Sequence, residues 1–287
     1  MIHVYRQIQL SDTEVMRNYS LHAGKNIRIY TAGARFNNVD KTSLPSPLTS
    51  LRSSRVQQTV VLKGEYSIIR NGKVYTLFPG DTVYEKTGSG GELWEGTEVK
   101  LLVIEWECLD SHDTTFGQIS RLYLPSVFSC LENLSKEQSA SANEFFRLLS
   151  LTDIPDRSLL ETFVNDAFND PALAQLAPIA SVLSKALCNL STSPMWIDFI
   201  QRLEISERQA RRQMSELLKI MGMPDSHTSL RSYLNRVRLS HAISFFNAKN
   251  TTVNQIAGSL GYSSDRALAT ALRNAGLGNP SSLKGCG

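Results

Sequence analysis

The sequence has little histidine and little cysteine: five His and four Cys in 287 residues. His3, His22, His112, His227 and His241 are isolated from one another, and no His-x-His pair occurs. A metal centre built from side chains needs such a cluster. Cys108, Cys130, Cys188 and Cys286 are widely spaced and form no Cys-x-x-Cys. They read as free thiols of a reducing cytoplasm, not as a disulfide framework or a zinc site. No stretch approaches the ~18 consecutive apolar residues that span a bilayer. The opening Met1 to Gln7 lacks the basic-then-apolar layout of a signal peptide. Gly88-Ser89-Gly90-Gly91 lacks the Lys and helix of a phosphate loop. These absences predict a cytoplasmic chain outside the membrane, with no metal, no cofactor and no enzymatic activity. Glu105 and Glu107 sit two apart in one strand pattern and read as a solvated strand face. Trp94, Trp106, Tyr66, Tyr75 and Tyr84 fit either plain core or the lining of a ligand pocket.

Composition is that of an ordinary globular protein, 41% hydrophobic and 20% charged. Charge is unevenly placed. From Ser191 onward there are 12 Lys+Arg against 6 Asp+Glu, and before it 18 against 21. A basic C-terminal part joined to a slightly acidic one is the footprint of a nucleic-acid module.

The stretch from Ser193 to Lys284 reads as two helix-turn-helix units joined by one longer helix. In the first, Ser206 and Gln209 form a capping-box pattern. Ala210, Met214, Leu217 and Leu218 follow at helical spacing, while Arg208, Arg211 and Arg212 fall off that stripe. The second opens on a Thr252-x-x-Gln255 box. Gly261-Tyr262 breaks its first helix, and Ser263 or Ser264 starts the next. Helix, glycine turn, helix is a DNA-reading motif. Between the units, Ser229 to Asn247 contains no Gly or Pro. That predicts a helix of about 19 residues, roughly 28 Å long. B-DNA repeats its major groove about every 34 Å, so such a spacer suits two reading helices on one face of a duplex.

Here a family resemblance enters. Ser206-x-Arg208-x-Ala210-x-Arg212-x-Met214 resembles the first recognition helix of the AraC/XylS-type transcription regulators. Arg238-Leu239-x-x-Ala242-x-x-Phe245-Phe246 resembles that family's linker helix. Ile256-Ala257-x-x-x-Gly261-Tyr262, Leu268-x-x-x-Leu272 and Gly278-Asn279-Pro280-Ser281 resemble its second unit. The chain departs from the family between Met214 and Tyr233, where it is several residues longer around Met221 to Ser226. The resemblance implies base contacts from Arg208, Arg211 and Arg212, with Gln209 beside them. In the second unit it implies Asp265, Arg266, Ala269 and Thr270. Thr252 and Ser264 start helices whose N–H groups suit phosphates. Asp265 would either cap its helix or accept from a cytosine amine, and Arg238 is expected to be a structural ion-pair partner rather than a DNA contact. The implied partners are double-stranded promoter DNA, RNA polymerase, and a small-molecule effector or regulatory protein.

Upstream, many short apolar runs with turn residues between them predict a small barrel or double-sheet jelly roll over about 20–110. Gly64, Asn71-Gly72 and Leu77-x-Pro79-Gly80-Asp81 resemble a cupin-type barrel, the family's usual N-terminal domain. Residues 1–20 read as an arm or a first strand. From Thr114 the texture turns helical, and Leu173 to Leu187 reads as one helix. The helices over about 114–170 either form a homodimer interface or cover the barrel. The expected fold is α+β: residues 1–170 a cupin-like sensing and dimerisation domain, 171–287 an all-α DNA-binding domain. Two rival readings are a sequence-independent architectural DNA binder and an effector-binding cupin with a degenerate tail.

Overall fold

The computed structural model describes residues 2–11, 14–23, 26–34, 39–40, 55–70, 73–86, 91–94, 99–107, 119–135, 142–154, 157–192, 196–201, 203–221, 223, 229–246 and 251–284. Most of the loop expected over 37–55, the Asn71-Gly72 turn, Gly88 to Gly90 and residues 224–228 lie outside them.

Eleven strands are described: β1 (Ile2–Ser11), β2 (Glu14–Ala23), β3 (Ile27–Ala34), β4 (Val39–Asp40), β5 (Arg55–Lys63), β6 (Tyr66–Arg70), β7 (Lys73–Leu77), β8 (Asp81–Lys86), β9 (Gly91–Trp94), β10 (Val99–Glu107) and β11 (Ile119–Arg121). The larger sheet has the order β1-β2-β3-β10-β5-β8-β11 and the smaller β4-β9-β6-β7. Residues 2–20 are not an arm; they supply the expected first strand, β1, and most of a second, β2. β11 falls where helix was expected. Its three side chains are all exposed, so no apolar alternation marks it.

Period-2 alternation explains how the sheets stack. In β10, Val99, Leu101 and Val103 face the smaller sheet and join Tyr66, Ile68 and Leu77 in one core. Leu102, Ile104 and Trp106 face the other way, toward the helices. A strand covered on both sides reads as a mainly apolar run, here Leu101 to Ile104. Gly64 and Gly80 hold turns at φ +76° and +95°. A Cβ on Gly80 would meet the Leu122 carbonyl oxygen at 3.1 Å.

The helices are α1 (Leu124–Ser135), α2 (Ala142–Leu151), α3 (Arg157–Asn169), α4 (Pro171–Ala174), α5 (Ala177–Leu187), α6 (Trp196–Ile200), α7 (Glu207–Ile220), α8 (Leu230–Phe246), α9 (Val253–Ser259), α10 (Asp265–Asn274) and α11 (Pro280–Lys284). Val127, Leu134, Phe145, Leu148, Leu160 and Val164 of α1–α3 share a core with the outer face of the larger sheet, so these helices cover it. The single helix expected from Leu173 to Leu187 is broken at Gln175-Leu176. Pro178 lies in the first turn of α5 and has no N–H to return to Ala174.

Two cores divide the C-terminal half. α5, α7 and the first half of α8 (Leu230, Leu234, Val237) belong to the core that also holds Ile2, Val4 and Ile29 of the larger sheet. The second half of α8 (Leu239, Ala242, Phe245, Phe246) packs with α9 and α10 in a separate core. One helix therefore serves both units. At 17 residues it is roughly 26 Å long.

Two glycines of the second unit give opposite expectations. Gly258 lies inside α9 with open space where a Cβ would go. Gly258→Ala should stabilise the fold by about 0.5–1 kcal/mol. Gly261 closes α9 at φ +75°, and Gly261→Ala should destabilise by about 1–2 kcal/mol. Thermal unfolding of the two variants checks the signs.

Candidate nucleic-acid interface

Ser206 stops the chain in extended geometry, and its Oγ accepts from the Gln209 N–H at 3.3 Å. Gln209 is exposed and does not return the bond, so only half of the capping box forms. Ala210, Met214, Leu217 and Leu218 are buried as their spacing requires. Arg208, Arg211 and Arg212 are exposed, so the cationic face of α7 is open to solvent.

The three arginines are not equivalent. Arg211 Nε donates to Glu207 Oε1 at 2.9 Å, and its guanidinium lies 4.9 Å from the Trp196 ring centroid. Arg208 and Arg212 have no ion-pair partner among the described residues. Arg212 borders a crevice of about 520 Å³ that Asn26, Asp170, Leu173, Glu216 and Ile220 also line. A free guanidinium fork is the group that matches guanine O6 and N7.

In the second unit the capping box is complete. Thr252 Oγ1 accepts from Gln255 N–H at 3.2 Å, and Gln255 Oε1 accepts from Thr252 N–H at 2.8 Å. Thr252's own N–H is therefore engaged. Ser264 caps α10 by accepting from Ala267 N–H at 3.1 Å. Asp265 is the first helical residue rather than the cap, and its Oδ1 accepts from Arg266 N–H at 2.7 Å. Arg266 and Thr270 are exposed and Ala269 is half-buried. Arg273, seven residues after Arg266, shares that face and donates to Thr270 Oγ1 at 3.3 Å. The family resemblance does not mark Arg273; its seven-residue spacing from Arg266 does.

Tyr262 ties the glycine turn to the linker helix, donating to Asn235 Oδ1 at 3.1 Å. Burial pushes its hydroxyl pKa up to about 12, against the pull of Arg238. Arg238 Nη2 donates to the Leu190 carbonyl at 3.0 Å, a backbone contact that ties α8 to the 3-10 turn at Leu190–Thr192.

The expectation for Glu105 is overturned. Its side chain is 1% exposed and accepts from Arg28 Nη2 at 2.8 Å. Arg28, Glu105, Gln57 and Glu85 form one row across β3, β10, β5 and β8, each opposite the next. Gln57 Nε2 closes the row on Glu85 Oε1 at 2.8 Å. Arg28 also sits 4.3 Å over the Tyr30 ring and places Nη1 3.4 Å from the Met221 carbonyl. Burial pulls the Arg28 pKa down, but Glu105 and Tyr30 outweigh it and the net direction is up. A carboxylate inside a two-sided apolar run was the available signal, because a buried charge needs a partner.

Among the described residues no group of three or more His, Cys, Asp or Glu is arranged to hold a metal, and no described helix is long and apolar enough to cross a membrane. Cys130 is buried against Glu144, and its thiol is pushed up to about 12, chiefly by burial and then by Glu144.

No family model matches the sequence, and no curated protein matches it. Among solved structures the chain is similar to ToxT from Vibrio cholerae O395 bound to (E)-4-(8-methylnaphthalen-1-yl)but-3-enoic acid. That likeness has 14% identity and a TM-score of 0.36, and covers 92% of this chain and 100% of that one. It is also similar to unsaturated fatty acid bound wild-type ToxT from Vibrio cholerae strain SCE256, at 13% identity and a TM-score of 0.33, over 90% and 94% of the two chains. A shorter likeness, to the putative glyoxylate induced protein from Pseudomonas aeruginosa, has 14% identity and a TM-score of 0.29, over 36% and 39%. These likenesses are distant, and the functional reading rests on the residues of this chain.

Proposed function

We propose that this chain is a sequence-specific DNA-binding transcription regulator of the AraC/XylS type. The observation that carries the proposal is the pairing of two capped helices, α7 and α10, each with an apolar side buried and a cationic side exposed, on one shared linker helix. Arg208 and Arg212 supply the free guanidinium groups of the first helix. Arg266 and Arg273 supply cations of the second. Thr270, Ala269 and Asp265 shape its approach to the groove.

In this reading the protein acts at promoters as a non-enzymatic activator that engages RNA polymerase. A small-molecule effector or a partner protein acts through the N-terminal sandwich, and two copies pair through that same domain. The continuous core of sandwich, α5 and α7 supports such control. A change at the sandwich displaces the first unit, while the second keeps its own core. The effector shifts the balance only through unequal affinity for the two arrangements.

Selection of bound sequences from a random duplex library by the full-length protein tests this. The expected product is a two-part motif with halves about one helical turn apart. The rival architectural reading predicts no enrichment, and binding that falls with salt to a similar extent on every sequence.

A further inference from the structure

We propose that Arg28 is a positioning residue for the DNA-reading helix α7: it closes the C-terminal end of that helix from the sandwich and so sets the angle of Arg208, Arg211 and Arg212 to the duplex. The inference rests on the proposed role of α7. Met221 is the C-cap of α7, and its N–H is already bonded to the Leu217 carbonyl. The carbonyls of a last helical turn lack intrahelical partners and carry the negative end of the helix dipole. Arg28 Nη1 lies 3.4 Å from the Met221 oxygen. That is long for a hydrogen bond, so the attraction is mainly between cation and helix end.

The position of this cation is dictated by the sheet. Glu105 grips Nη2 at 2.8 Å and Tyr30 lies beneath the guanidinium, both on strands of the sandwich. The helix end is equally fixed. Met221 and Met223, in the stretch where the chain exceeds the family's spacing, are each 8% exposed, and Met223 N–H returns to the Leu218 carbonyl at 2.9 Å. Arg236 of α8 stands close enough that Arg28, after burial, helps lower its pKa. A cation is thus held at this junction against a like-charged neighbour. Any shift of β3 tilts α7 and leaves the α9–α10 core unmoved.

The test uses full-length protein, a duplex selected by the wild type, and the same duplex with either half scrambled. Arg28→Gln should bind the intact duplex on the order of 5- to 20-fold more weakly. It should match the wild type where the α7 half is scrambled, and lose protection only over that half. Arg28→Lys should recover to within about threefold, because the charge is kept. The pair Arg28→Met with Glu105→Leu, which keeps the packing without the charges, should show the same one-sided loss as Arg28→Gln. Equal weakening at both halves, or none, overturns the positioning role. Arg212→Ala separates the two ideas. If Arg212→Ala leaves the α7 half protected, the reading of α7 fails and this inference falls with it. If Arg212→Ala loses that half and Arg28→Gln does not, only the inference fails.

Discussion

Glu105→Ala is expected to destabilise the chain by about 3–5 kcal/mol, more than any other substitution considered for this fold. The size follows from what remains. Arg28 keeps only 21% of its side-chain surface exposed, and its Nη2 would lose the buried carboxylate that accepts from it. Its pKa is too high for the group to escape by losing its proton. Glu105→Gln should cost less, since the amide oxygen still accepts. Replacing both partners, Arg28→Met with Glu105→Leu, should be close to neutral, because no charge is stranded. Denaturant unfolding measures all three. A Glu105→Ala midpoint near the wild type would show that the pair is not a closed buried pair.

Arg212→Ala should weaken specific DNA binding by about 1–3 kcal/mol and relax preference at one base pair. The structure sharpens this expectation into an order. Arg212 and Arg208 are exposed without an ion-pair partner among the described residues, whereas Arg211 is held by Glu207 and lies over Trp196. Binding through Arg211 must compete with contacts it already makes. Arg211→Ala should therefore cost less than Arg212→Ala. A lost base contact changes which sequence is preferred, while a lost phosphate contact weakens every sequence alike and lowers the salt slope by about one. Competition assays on single-base variants of a selected site distinguish the two.

Features governed by local rules were legible in the sequence. Ser206, Thr252 and Ser264 cap helices because a short polar side chain beside an apolar repeat has one good use. Gly261 ends α9 because φ +75° excludes most other residues. The apolar run of β10 was visible, and β6 and β7 pair antiparallel out to Arg70 and Lys73. What escaped depends on distant partners. Arg28 and Glu105 are 77 residues apart, and Arg28 and Met221 are 193 apart. Neither residue carries a local mark of the other. The break before α5 was present in Pro178, but the apolar repeat from Leu173 to Leu187 continues through it and masks the stop. The role of α5 was also hidden. It packs against β1 on one side and α7 on the other, so the first unit shares its core with the sandwich.

Hydroxyl-radical footprinting of the full-length protein on a selected duplex tests the central claim most directly. Two helices borne by one linker of roughly 26 Å should protect two segments about one helical turn apart on the same face of the DNA, and Arg212→Ala should erase one of them. A single protected segment, or two that both survive Arg212→Ala, would contradict the account.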